Sequence, residues 1–251
     1  PRMPDEPLAF VEVALTGEMA ASVQRLLDES APEDDPGDAK AAIFYSITNT
    51  QRGLQGISFG EYLIKQVVTH LSHELPQIET FATLSPLPGF RKWLDTVAGE
   101  TIDALVEDGE RKALARLSGQ DDTRAAFQVL LARANWPDDP AVAGALQGPL
   151  RRLAARYLLA RRDNGAPIDP VARFHLKNGA RLERINWLGD VSAKGLRQAA
   201  GIMVNYCYDL DDIEANHEAY MQAGRIVLGN DAQRLLKGWK DPDGKPLRRL
   251  A

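Results

Sequence analysis

The sequence predicts an α/β fold, on three observations. An apolar strand-like run is followed at once by residues at helical spacing; a strand, glycine loop, helix and strand come next; and the last third returns to strand after a long helical block. Its 251 residues, 44% of them hydrophobic, suffice for a substantial core in one large domain or two small ones.

Residues 8–16, LAFVEVALT, read as a strand, and residues 19–30, MAASVQRLLDES, as a helix with apolar residues at helical spacing. Residues 30–40, SAPEDDPGDAK, are acidic and rich in Pro and Gly, as a solvated connector is. Residues 41–50, AAIFYSITNT, are apolar on both alternating faces, which suits a central strand covered on each side. The next stretch, QRGLQGISFGEYLIKQVVTHLSHE, is a loop with Gly53 and Gly56 and then a helix whose Leu63, Ile64, Val67, Val68 and Leu71 form one stripe. Residues 77–85, QIETFATLS, return as a strand, closing a crossover unit that is right-handed if its strands are parallel neighbours. Residues 90–163 are helical in pattern and alanine-rich, a helical insertion or cap. In PVARFHLKNGARLERINWL, residues 170–188, the Asn178-Gly179 pair predicts a two-residue type I′ hairpin. Strand alternation then puts Phe174 and Leu176 on one face and Arg173, His175 and Lys177 on the other. GIMVNYCY, residues 201–208, is a further strand, and DDIEANHEAYMQAG, capped by Asp209 or Asp211, and DAQRLLKGW are closing helices.

Composition excludes several functions. Thirty basic and 35 acidic residues give a net charge of −5, so no global basic field gathers a nucleic-acid backbone. No run approaches the roughly 20 apolar residues that cross a bilayer, and no signal peptide pattern is present, so the expected address is the cytoplasm, with neither membrane nor nucleic acid as partner. The single cysteine, Cys207, excludes an internal disulfide framework and, flanked by apolar and aromatic residues, is expected to pack inertly.

Three features carry chemistry. The loop QRGLQG sits where a strand becomes a helix, and its glycines let backbone N–H groups approach an anion at the positive end of the helix dipole. It matches neither the P-loop nor the dinucleotide fingerprint, so phosphate binding and an ordinary tight turn both stand. Ser85 in FATLSPLPGF ends an apolar run before two prolines and a glycine. As an acyl-enzyme nucleophile it is disfavoured, because Pro86 has no N–H to give an oxyanion hole; a hydrogen-bonding or proton-relay serine, or plain strand termination, is compatible. Among the histidines, His70 and His73 belong to the last turn of a helix and lack a third metal ligand, and His217 lies on a polar, solvent-exposed face. His175, beside Arg173 and Lys177, is structural or catalytic, held neutral by the nearby cations.

IFYSITNTQRGLQGISFGEYLIKQVV, FATLSPLPGF, DPVARFHLKNGARLERINWLGDVSAKGL and GIMVNYCYDLDDIEANHEAY, in this order from about residue 41 to 220, resemble the malonyl-CoA decarboxylase family. The resemblance implies a mixed sheet with flanking helices like that of the Gcn5-related N-acetyltransferases, residues 1–251 forming one catalytic domain with the helical insertion at about 90–163. It also implies that coenzyme A crosses the loop at the helix start and its pantetheine arm reaches between splayed strands. The family's catalytic serine and histidine match Ser85 and His175. Its substrate-binding stretch matches Gln55, Gly56, Ile57, Ser58, Phe59, Gly60 and Glu61, joined by Ser85 and His175. The acyltransferase loop pattern is matched with one residue's departure at Gly53-x-x-Gly56. Family members carry a helical domain ahead of the catalytic one that is absent here, and full-length members assemble as homotetramers.

The implied reaction converts malonyl-CoA to acetyl-CoA and CO2 without metal or organic cofactor, the thioester carbonyl taking up the electrons as an enolate. His175 is the expected proton donor and Ser85 its assistant. Two alternatives are an acyl-CoA-dependent acyltransferase of the same fold, separable by thiol release with added acceptors, and a non-catalytic coenzyme A-binding module.

Overall fold

The computed structural model describes residues 9–32, 35–49, 59–162 and 165–237. Among these described residues six strands form one mixed sheet: β1 (Ala9–Thr16), β2 (Ala41–Asn49), β3 (Thr80–Thr83), β4 (Ser85–Pro86), β5 (Arg181–Asn186) and β6 (Met203–Tyr208). β1 runs antiparallel to β2, and β2 parallel to β3 through the helix α2 (Phe59–Glu74), as the crossover pattern predicts. β3 and β4 both run antiparallel to β6 along one edge, and β5 takes its other edge.

Alternation along β2 distributes its side chains to two cores. Ala42 and Phe44 join the large cluster with Phe81, Val204, Tyr206 and Tyr208, whereas Ala41 and Ile43 pack with Ala82, Leu84 and Met203. Helices α3 (Phe90–Thr96), α4 (Gly99–Leu105), α5 (Asp108–Ser118), α6 (Thr123–Leu131) and α7 (Pro140–Leu159) follow β4 directly and pack into the large cluster. Residues 90–159 are thus mostly helical, as their sequence pattern predicts.

The predicted helix over residues 19–30 shrinks to α1, a single turn at Val23–Leu26. The carbonyls just ahead of it are engaged by the sheet: Arg184 donates to Met19 O and Asn205 to Ala20 O.

The hairpin expected at Asn178-Gly179 does not form. Residues Pro170–Lys177 are a helix, α8, and only residues from Arg181 onward are strand. Asp169 begins the helix, its Oδ1 accepting from the Val171 and Ala172 N–H groups, and Pro170 fills the first helical position, where no N–H is needed. At the other end Ala180 N–H donates to His175 O and Gly179 N–H to Leu176 O, the two bonds of a Schellman motif. Gly179 has φ +79°, while Asn178 stays at −85°, so the pair lacks the two positive φ values of a type I′ turn. His175 therefore lies in the last turn of a helix, not mid-strand, and the strand faces expected for Arg173, His175 and Lys177 do not exist. Ala172, His175 and Leu176 are buried at helical spacing instead.

After β6 come α10 (Ile213–Ala223) and α11 (Asn230–Leu235), with α9 (Ala193–Ala199) between β5 and β6. α10 closes on the end of α8. A Cβ on Gly179 would overlap the Ile213 carbonyl, Asn216 Nδ2 donates to Gly179 O, and His217 Nδ1 donates to Lys177 O at 2.6 Å. His217 is thus half-buried with a defined partner, correcting its expected exposure.

Candidate active site

The register of the sheet explains where Ser85 goes. β2 and β3 pair from Ala41↔Thr80 to Phe44↔Thr83, and Leu84 N–H still reaches Phe44 O. Beyond that point β2 continues to Asn49 against β1 only, while the chain after Leu84 stays with β6. Phe81↔Tyr208, Ala82↔Cys207, Ser85↔Val204 and Pro86↔Met203 keep one constant register, so the strand does not stop at Ser85; it runs on through Pro86. What opens is a wedge on the opposite side, between β4 and the outgoing half of β2. Ser85 is the first β4 residue past its apex.

Side chains bridge the interruption at Thr83 and Leu84. Thr83 Oγ1 accepts from Tyr206 N–H, and Asn205 Nδ2 donates to Thr83 O at 2.7 Å. Asn205, fully buried, also donates to Ala20 O and accepts from Arg184 Nε and Asn186 Nδ2, so its amide is satisfied on all sides.

Alternation then aims Thr83, Ser85, Tyr206 and Tyr208 at α8. Ser85 Oγ lies 3.1 Å from His175 Nε2 and donates to Thr83 Oγ1 at 2.9 Å. His175 Nδ1 lies 2.8 Å from the Tyr208 hydroxyl, and its ring stacks on Tyr206 with centroids 4.6 Å apart. Ser85 and His175 are 6% and 4% exposed. Burial holds the imidazole pKa down to about 3, so His175 is neutral; desolvation, not the cations of the sequence reading, is the cause. Burial likewise pushes the Tyr208 and Tyr206 hydroxyls well above their ordinary value.

One tyrosine ties both halves of the dyad. Tyr157, on α7, donates to Asp169 Oδ2 at 2.9 Å, the other carboxylate oxygen of the residue that caps α8. The same Tyr157 oxygen lies against Gly89, in the turn after Ser85, where any Cβ would strike it. Asp169 is buried, and desolvation raises its pKa against the three hydrogen bonds it accepts.

The remaining sequence-predicted residues sort as follows. Gln55, Gly56, Ile57 and Ser58 lie outside the described residues; Phe59, Gly60 and Glu61 are the first residues of α2. His70 and His73 are in the last two turns of α2, His70 beside Glu74 at 3.4 Å. Cys207 faces away from Tyr206 and Tyr208, and burial pushes its thiol up to about 11. No cluster of three metal-ligating side chains exists among the described residues, and no described helix is long and apolar enough to cross a membrane. Tyr208 and Tyr157 escaped the sequence reading; period-two alternation in NYCY is the one signal that puts Tyr206 and Tyr208 on a common face.

Comparison with known proteins gives a consistent match. Residues 1–245 match the family model described as the malonyl-CoA decarboxylase C-terminal domain. The mitochondrial malonyl-CoA decarboxylase of Anser anser anser is 42% identical over 231 residues, 89% of this chain and 46% of that protein. That of Rattus norvegicus is 41% identical over 230 residues, with the same coverage of both chains. The crystal structure of malonyl-CoA decarboxylase from Rhodopseudomonas palustris superposes with a TM-score of 0.78 at 49% identity, covering 92% of this chain and 50% of that one. The chain spans about half the length of these relatives.

Proposed function

We propose, from the premise that the chain belongs to the malonyl-CoA decarboxylase family, that it removes CO2 from malonyl-CoA and releases acetyl-CoA. The observation that carries this reading is the 3.1 Å approach of Ser85 Oγ to His175 Nε2, buried at the apex of the wedge between β2 and β4. The thioester end of the substrate enters that wedge, with the coenzyme A moiety bound by residues Gln55 to Glu61.

In this mechanism the bond from C2 to the carboxylate breaks, and its electron pair passes into the thioester carbonyl as an enolate. No separate electron sink takes part. The enolate carbon then takes a proton from His175 Nε2, directly or through Ser85 Oγ, and solvent restores that proton. A neutral imidazole is acid enough for this step, because a thioester enolate is a strong base. The buried setting favours CO2 loss, since the charge leaving the carboxylate spreads over a larger group. Malonyl-CoA is the partner in this reading, with neither nucleic acid nor membrane; the reaction is cytoplasmic, and full-length chains form homo-oligomers.

Incubation with malonyl-CoA and mass spectrometry of the thioester product tests the reaction: acetyl-CoA must appear without added cofactor. Ser85→Ala and His175→Ala should each lower kcat by about 10²–10⁴ while circular dichroism stays native. A folded His175→Ala protein with activity near that of the parent would refute the assignment.

A further inference from the structure

Ser85 is held by a hydroxyl that the chemistry above does not use. Thr83 precedes it by two residues, on the same side of the sheet, and is 1% exposed. The Thr83 oxygen accepts two hydrogen bonds, from Tyr206 N–H at 3.2 Å and from Ser85 Oγ at 2.9 Å. Thr83 and Leu84 lie in the gap between the two stretches that pair with β6, so there the Tyr206 amide takes a side chain as its acceptor.

That amide fixes the Thr83 oxygen. A β-branched side chain has few χ1 choices, and a buried N–H in need of an acceptor selects among them. Asn205 Nδ2 holds the Thr83 carbonyl as well, so the residue is anchored to β6 by backbone and side chain together. Serine has no such restraint of its own, because its χ1 can occupy any of three staggered wells. The well observed brings Oγ to 3.1 Å from His175 Nε2, and the bond to Thr83 favours the same well. Thr83 Oγ1 and His175 Nε2 are the two partners of Ser85 Oγ among the described residues. When the imidazole turns its proton to the substrate, Thr83 is the partner that remains.

We propose that Thr83 is a positioning residue, which keeps Ser85 in the rotamer that faces His175 Nε2 throughout turnover. The proposal rests on the reading of Ser85 and His175 as the pair that protonates the enolate, and deepens it. Thr83 transfers no proton and touches no substrate; it acts through Ser85 alone. A serine free to swing among its wells would meet the imidazole in only part of the population, and the rate of protonation would fall with that fraction.

The rotamer is read without substrate, from crystal structures of the parent and of Thr83→Val, in which a methyl group replaces the hydroxyl. Ser85 should occupy one conformer in the parent and leave it, wholly or in part, in the variant. With malonyl-CoA, Thr83→Val should lower kcat about tenfold, the worth of one hydrogen bond, with KM within about twofold. Thr83→Ser, which keeps the oxygen, should hold kcat within about threefold of the parent. Introduced into a Ser85→Ala background, Thr83→Val should change the remaining rate by less than about twofold, whereas damage to the fold would lower it about tenfold again. A Thr83→Val protein in which Ser85 keeps its single conformer overturns the proposal whatever its rate. So does one whose Ser85 moves while kcat stays within about twofold of the parent, or an equal loss with and without Ser85. Should Thr83→Val not fold, Thr83→Ala decides by the same criteria. A Ser85 rotamer that answers to Thr83 in a protein releasing no CO2 would remove the decarboxylase reading alone. An active protein whose Ser85 ignores Thr83 would remove only the positioning role.

Discussion

Acidification should destabilise this protein through His175 by an amount that follows from its burial. The native imidazole stays neutral down to about pH 3, whereas in the unfolded chain it takes a proton near its ordinary value of 6.5. Between those limits the unfolded state binds the extra proton, so stability falls as pH falls and is regained as pH rises. One pKa unit corresponds to about 1.36 kcal/mol, so going from about pH 7 to about pH 5 should remove about 2 kcal/mol through this residue alone. Urea unfolding at both pH values, for the parent and for His175→Asn, isolates the effect, because the other titrating groups are common to both proteins. The variant will be less stable throughout; what counts is the difference in pH dependence. The parent should lose about 2 kcal/mol more than the variant on acidification. Equal losses in the two proteins would mean that the imidazole is hydrated in the native state, and the neutral donor would go with it.

Three further outcomes follow from the packing around the dyad. Gly179→Ala forces a side chain into φ +79° and against the Ile213 carbonyl, so urea unfolding should show a loss of about 2–4 kcal/mol. Asn205→Leu orphans the Thr83 and Ala20 carbonyls together with Arg184 and Asn186; it should cost about 3 kcal/mol or more and raise amide exchange at Thr83 and Tyr206. Asp169→Asn keeps an acceptor for the helix cap, so thermal unfolding should register a loss of about 1 kcal/mol, against about 2–3 kcal/mol for Asp169→Ala.

The legible part of this molecule was what local pattern controls. The two-sided apolar run of β2, the crossover through α2 and the helical block after residue 90 all follow from periodicity. Over residues 170–177 the turn signal of Asn178-Gly179 competes with helix signals at both ends, and the helix wins. Asp169-Pro170 is a cap followed by a first-turn proline, and a glycine just past the last turn suits a Schellman motif as well as it suits a hairpin. His175 and Ser85 are recognisable from their motifs, but Tyr208 and the link from Tyr157 to Asp169 depend on contacts that the motifs do not contain. Such contacts are set by packing, and no local spacing encodes them. The same holds for the cause of histidine neutrality, which is burial beneath Tyr206 and not the flanking cations.

The single register in which residues 81–82 and 85–86 pair with β6, on either side of the gap at Thr83 and Leu84, makes chain length at this point unforgiving. Adding or deleting one residue between Thr83 and Ser85 would turn the hydroxyl to the far side of the sheet, among Ala82, Leu84 and Met203, with the histidine left on the other side. Substitution at Leu84 preserves the count and so preserves the encounter. In any lineage of this chain, the two-residue step from threonine to serine should therefore hold in number even where its buried middle residue is exchanged for another apolar one.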